Sequence, residues 1–290
     1  MCCPRILLLL LLFTANVSVA FAELSAAPAT DSTTQPDSSH EYRLVWSDEF
    51  NVDGPPDPAN WSFEHGFVRN KELQWYQPEN ARCENGLLVI EGRRERVDNP
   101  RYERGSGDWR RNREYAEYTS ASMSTREKQQ WQFGRIEMRG RIDARKGMWP
   151  AFWTLGSARQ WPGCGEVDIM EFYSDTLLAN LAWQGRNGHA RWNDMKRNIK
   201  QFKDPEWPQQ FHVWRMDWDQ DFIRLYVDDE LLKEVSLDTT VNEGNTSMNP
   251  FREPHYIILN LAIGANGGDP SETKFPGRLE ADYVRVSQKP

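Results

Sequence analysis

Along residues 41–290, apolar positions come in short runs broken by Gly, Pro, Asn and Asp, and helical periodicity is nearly absent. Leu87-Leu88-Val89-Ile90-Glu91-Gly92 reads as a strand that follows an Asn85-Gly86 turn. Phe222 to Val227 and Leu231 to Val235 read as a hairpin closed at Asp228-Asp229, and His255 to Ile263 as a long apolar strand ending at Gly264. Many short strands with turn signals between them predict an all-β chain built as an antiparallel β-sandwich. The folded region begins near Tyr42-Arg43-Leu44-Val45-Trp46. Residues 23–40, rich in Ala, Ser, Thr and Pro, predict a flexible linker. Residues 1–22 carry Arg5, an apolar stretch from Ile6 to Phe13 and an Ala20-Phe21-Ala22 cleavage pattern, which predicts a signal peptide and a secreted protein. That stretch is too short for a membrane span.

One run departs from the pattern. Gly165-Glu166-Val167-Asp168-Ile169-Met170-Glu171-Phe172-Tyr173-Ser174 places three carboxylates inside an apolar strand. A core cannot hide three acids without severe desolvation cost, so they line a wet cleft, bind a metal or do acid–base chemistry. Side chains alternate along a strand, so Glu166 and Asp168 share a face and Glu171 falls on the wrong parity. A β-bulge between Asp168 and Glu171 restores it, and bulges favour active sites. The two glutamates are then about 13 Å apart at Cα and must lean inward to act on one bond. Asp168, between them, can push their pKa values apart.

Trp149, Trp153 and Trp161 lie just upstream of these acids. An indole plane stacks on the apolar face of a sugar ring, and its N–H is a donor; the same residues also suit a core. The chain holds thirteen tryptophans, a content common on carbohydrate-handling surfaces. Net charge is −8 without a long basic run, which argues against nucleic acid as a partner. Cys2 and Cys3 would leave with the signal peptide. Cys83 and Cys164 remain, either paired or free, and neither has metal-site spacing.

The segment Met148 to Ser174 resembles the active-site signature of glycoside hydrolase family 16, the laminarinase and β-glucanase group. Asn70-Lys71-Glu72-Leu73-Gln74-Trp75-Tyr76, Tyr118-Thr119-Ser120-Ala121, Phe133-Gly134-Arg135-Ile136-Glu137 and Asp282-Tyr283-Val284-Arg285-Val286 fit the same family. The resemblance implies a β-jelly roll with a concave substrate cleft and a retaining endo-β-glycosidase acting on a polysaccharide. Glu166 would be the nucleophile, Glu171 the acid/base and Asp168 an assisting carboxylate that keeps Glu171 protonated by repulsion and hydrogen-bonds Glu166. Trp149, Trp153, Trp161, Asn70, Glu72, Gln74, Trp183 and His189 are the expected substrate contacts. Catalysis needs no cofactor, but a structural calcium ion is expected at Glu49, the carbonyl of Gly86 and Asp282. A monomer is expected.

An endo-1,3-β-glucanase-like activity is the first reading. In Asn180-Leu181-Ala182-Trp183-Gln184, Ala182 stands where laminarinases place a His, which brings in an endo-β-galactosidase acting on galactan, agar-like or mucin-type glycans. A transglycosylase uses the same residues, and a non-catalytic glycan-binding module needs only the tryptophans. Between Gly92 and Arg113 stand eight arginines, Arg93, Arg94, Arg96, Arg101, Arg104, Arg110, Arg111 and Arg113. They read either as a solvated loop or as a loop flanking the cleft that binds a sulfated, sialylated or uronic glycan.

Overall fold

The computed structural model describes residues 41–244 and 248–290; the expected signal peptide and linker lie outside the described residues. Twenty strands occur in the described residues. They are β1 (Arg43–Asp48), β2 (Ser62–Phe63), β3 (Gln74–Tyr76), β4 (Ala81–Glu84), β5 (Leu87–Gly92), β6 (Val97–Asp98), β7 (Tyr115–Ala116), β8 (Tyr118–Ser120), β9 (Ser122–Ser124) and β10 (Gly134–Ile142). There follow β11 (Met148–Gly156), β12 (Glu166–Tyr173), β13 (Thr176–Gln184), β14 (Ala190–Asn193), β15 (Lys196–Asn198), β16 (His212–Trp218), β17 (Phe222–Val227), β18 (Glu230–Ser236), β19 (His255–Ile263) and β20 (Gly277–Gln288). Helical structure in the described residues is confined to short 3-10 turns, and no helix among them is long and apolar enough to cross a membrane.

Two antiparallel sheets form the sandwich, a β-jelly roll. The outer sheet runs β18-β17-β16-β10-β20-β5-β4, with β1 also on β20, and the inner sheet runs β14-β13-β12-β11-β19-β9-β2, with β15 also on β13. The hairpin expected at Asp228-Asp229 is present as β17–β18. Alternation explains the packing. β10 reads buried, half-buried, buried along its whole length, and Ile136 and Met138 face inward against the inner sheet. Val167, Ile169, Met170 and Phe172 of β12 and Ile257, Leu259 and Leu261 of β19 close the core from the other side.

The outward face of the outer sheet is a ladder of arginines and acids. Arg135 pairs with Asp217 through two bonds of 2.7 and 2.9 Å, Arg285 grips Glu49 at 2.8 and 2.7 Å, and Arg139 bonds Asp282 at 2.7 Å. Cross-strand pairs of opposite charge support register at small individual gain. This ladder bears on the expected calcium site. Glu49 and Asp282 each hold an arginine, and among the described residues no group of three or more His, Cys, Asp or Glu side chains is placed to hold a metal. A divalent cation at Glu49, the Gly86 carbonyl and Asp282 would have to compete with Arg285 and Arg139 for the two carboxylates. Cys83 and Cys164 are both buried free thiols, each pushed up to about 11 chiefly by burial.

Candidate active site

The site is built on the outward face of the inner sheet. Gly165, at φ +77°, sets the turn into β12; a side chain there would meet Pro250 at 2.9 Å. Along β12 the pairing with β13 shifts register between Asp168 and Glu171, and the pairing with β11 shifts between Phe152 and Trp153. This is a bulge where parity required one. Ile169 and Met170 therefore both enter the core, and Glu166, Asp168, Glu171 and Tyr173 all reach the cleft.

The cleft has a volume of about 590 Å³. Trp149 donates its indole N–H to Glu171 Oε1 at 2.7 Å, and Trp161 donates to Glu166 Oε2. Trp153 donates to Asn260 Oδ1 at 2.8 Å. Asn70 and Glu72 line the cleft as well, with Asn70 donating to Glu72 at 3.3 Å.

The three acids of β12 titrate unusually. Burial raises Asp168 well above the normal carboxyl range, and the charges of Glu171 and Glu166 add to it. A hydrogen bond between Asp168 and Glu166 raises Asp168 and lowers Glu166. Burial also raises Glu166, but the Trp161 N–H, the Asp168 hydrogen bond and the Arg69 charge all pull it down. Glu171 rises to about 7, first by burial and then by the charges of Glu166, Glu72 and Asp194, with only the Trp149 N–H opposing. Glu166, Glu72 and Asp194 repel the Glu171 charge, and Glu171 and Asp168 repel each other as well. Both glutamates rise, but three groups oppose the rise of Glu166 and one opposes that of Glu171, so their environments differ.

Three expected contacts lie off the cleft. Trp183 is 2% exposed and packs in the core against Phe251, because on β13 Asn180 and Ala182 take the outward parity. His189 sits in an exposed turn between β13 and β14. Gln74 is 1% exposed and supports Glu72, donating to it at 2.7 Å while accepting from the Ile263 N–H at 2.8 Å.

Other cleft residues went unread in the sequence. Arg69 lies over the Trp153 ring at 5.2 Å and pairs with Glu64, and its Nη1 has no hydrogen-bond partner among the described residues. Asn180 donates to Asp168 at 3.4 Å. Trp192 lines the cleft because β14 pairs it with Ala182. Asn260 was signalled by a polar residue within the apolar run of β19.

The arginines of residues 93–113 serve as ties. Arg110 donates to the carbonyl of Val68 at 2.9 and 2.8 Å, and Arg113 to the carbonyls of Lys71 and Glu72. Arg94 donates to Pro270 and Ser271, and Arg111 pairs with Glu103. The loop thereby fixes the segment that carries Asn70 and Glu72.

The sequence profile of the glycosyl hydrolases family 16 matches residues 76–285. A beta-glucanase of Rhodothermus marinus is 35% identical over 271 residues, covering 86% of this chain and 86% of its own length. The laminarinase catalytic domain of Thermotoga maritima superposes with a TM-score of 0.71 at 35% identity, over 86% of this chain and 98% of that one. A structure from work on endo-acting O-glycanases that human gut bacteria express to initiate mucin breakdown superposes with a TM-score of 0.76 at 35% identity, over 86% of this chain and 91% of that one.

Proposed function

The chain belongs to glycosyl hydrolases family 16, and we propose that Glu166 is its nucleophile, Glu171 its acid/base and a β-1,3-linked glucan its substrate. It is an endo-acting retaining glycosidase with a polysaccharide substrate. The observation that carries the residue roles is the difference between the two glutamates. Glu166 receives the Trp161 and Asp168 hydrogen bonds and feels the Arg69 charge; Glu171 is raised to about 7 with one donor.

The chemistry follows from that difference. The Glu166 carboxylate attacks the anomeric carbon while the bond to the leaving oxygen breaks, and Glu171 gives that oxygen its proton. Glu171, now an anion, takes a proton from water, and the oxygen of that water displaces Glu166 from the sugar. Asp168, protonated, holds Glu166 in place and steadies its charge. Trp149 orients Glu171, and Trp153, Trp161 and Trp192 offer ring faces to sugar units. Secretion, from the leader in residues 1–22, belongs to the same proposal.

A second substrate reading has its own support. Ala182 is the strand partner of Glu166, where laminarinases place a His, and the chain is 35% identical to the O-glycanase structure. A galactan or mucin-type chain fits that substitution. Product release from laminarin, mixed-linkage glucan, agarose, keratan-type chains and mucin O-glycans decides between them. Oligosaccharides from laminarin, absent with Glu166→Ala, uphold the glucan. Products from galactan or mucin chains alone replace it with the second reading.

A further inference from the structure

A second groove, of about 720 Å³, adjoins the cleft, and Trp161 and Leu155 line both. Trp161 is the junction. Its N–H holds Glu166, yet the residue is 51% exposed. The cleft that holds Glu166 and the groove therefore meet at this exposed indole. Tyr256 forms part of the far wall.

The two cavities carry opposite charge. The cleft is lined by Glu72, Glu166, Asp168, Glu171 and Asp194 against Arg69 and Lys196. The groove is lined by Arg126, Lys128 and Arg159 against Glu127 alone. All four of these side chains are exposed. Among the described residues none of the three cations has a carboxylate within 4 Å. Arg126 lies 5.8 Å from the Tyr256 ring, and Arg159 reaches the sulfur of Met248. The arginines of residues 93–113 differ, because most of their donors are spent on carbonyls and acids. In a chain of net charge −8, three cations with no carboxylate bonded to them among the described residues, beside an exposed indole, form a local trap for an anion.

We propose that this groove is a subsite for a sulfate ester or carboxylate carried by the substrate polysaccharide, and that the enzyme favours such a chain over its neutral counterpart. The proposal rests on the glycosidase reading of the adjoining cleft. Guanidinium groups match sulfate and carboxylate geometry through paired N–H bonds. The Glu166 carboxylate at the scissile bond repels the same group there. An anionic substituent is thus welcome at one distance from the scissile bond and excluded at the bond itself, which selects the register of a sparsely charged chain.

The test uses the neutral chain that the polysaccharide panel identifies, alongside the same chain partly sulfated and the same chain partly oxidised to uronate. At low ionic strength kcat/KM should favour a charged chain by roughly fivefold to tenfold, the return of a few exposed ion pairs. That ratio should fall toward one in the combined Arg126→Gln, Lys128→Gln, Arg159→Gln variant and in about 0.5 M salt. Glu127→Gln, which removes the opposing charge, should raise it. Preference for only one of the two charged chains names the anion and supports the subsite. A ratio at or below one in the parent protein, or one that the triple substitution leaves unchanged, overturns it. If no chain is cleaved, the glycosidase reading fails first. Binding of the three chains to Glu166→Gln protein then judges the groove: tighter binding of a charged chain that the triple substitution abolishes upholds it, and equal binding overturns it.

Discussion

On the outer sheet Glu49 grips Arg285 through both oxygens and Asp217 holds Arg135 in the same way, whereas on the inner sheet Glu166, Asp168 and Glu171 stand on one strand with no arginine or lysine bonded to any of them. Both faces present acids. The titration follows the partners. The Arg285 hydrogen bonds pull Glu49 below the usual carboxyl range, and Glu91, which burial alone would raise, is held down by Arg93, Arg82 and Arg278. The acids of β12 all rise. A carboxylate with a guanidinium partner is a structural tie; one left with indole N–H groups and other acids retains a proton to give.

The largest effect is expected from Glu166→Ala, which removes the attacking oxygen and should cut kcat by more than about a thousandfold in a reducing-sugar assay. Leu178→Arg gives Glu171, its strand partner, the kind of neighbour that Glu49 has. The cation favours the Glu171 anion, so activity at neutral pH should fall by roughly tenfold to a hundredfold, and the alkaline limb of the pH–rate profile should move to lower pH. Trp149→Phe works in the opposite sense. It deletes the one donor that lowers Glu171, so the alkaline limb should move upward by about half to one pH unit.

Stability offers a further contrast. The folded-state pKa of Glu171 is raised from 4.5 to about 7, so the folded protein holds this proton more tightly than the unfolded chain does. The stability it contributes is fully present below about pH 4.5 and is lost as pH rises through about 7. Glu171→Gln should therefore be more stable than the parent by roughly 1–3 kcal/mol at pH 8, with the two converging near pH 4, as read by denaturant unfolding. Glu49 is the reverse case: its pKa is lowered, so its contribution is present above the normal carboxyl range and fades as pH falls. Arg285→Ala, which breaks an exposed tie, should cost less than about 1 kcal/mol and leave kcat within about twofold of the parent.

The sandwich and the three acids were legible in the sequence because both rest on local signals. Short apolar runs with turns predict strands, and a two-residue period with one parity error locates the bulge. Trp149, Trp153 and Trp161 followed from closeness in sequence to β12. Trp183 failed on parity: with Ala182 opposite Glu166, the next residue must face the core. His189 stands in an exposed turn that does not line the cleft. Arg69 and Trp192 reach the cleft through pairings and packing between segments distant in sequence, which no local pattern encodes. The same limit applies to the arginine-rich segment. Composition showed eight guanidinium groups; only the fold shows that the carbonyls of Val68, Lys71 and Glu72 take up two of them.

The most direct test of this account follows single carboxyl groups by carbon-13 NMR titration of glutamate-labelled protein, parent against Glu171→Gln. One glutamate signal should titrate near pH 7 in the parent and be missing in the variant. Glutamate signals that all titrate in the ordinary carboxyl range, with the variant differing only by the loss of one of them, would contradict it.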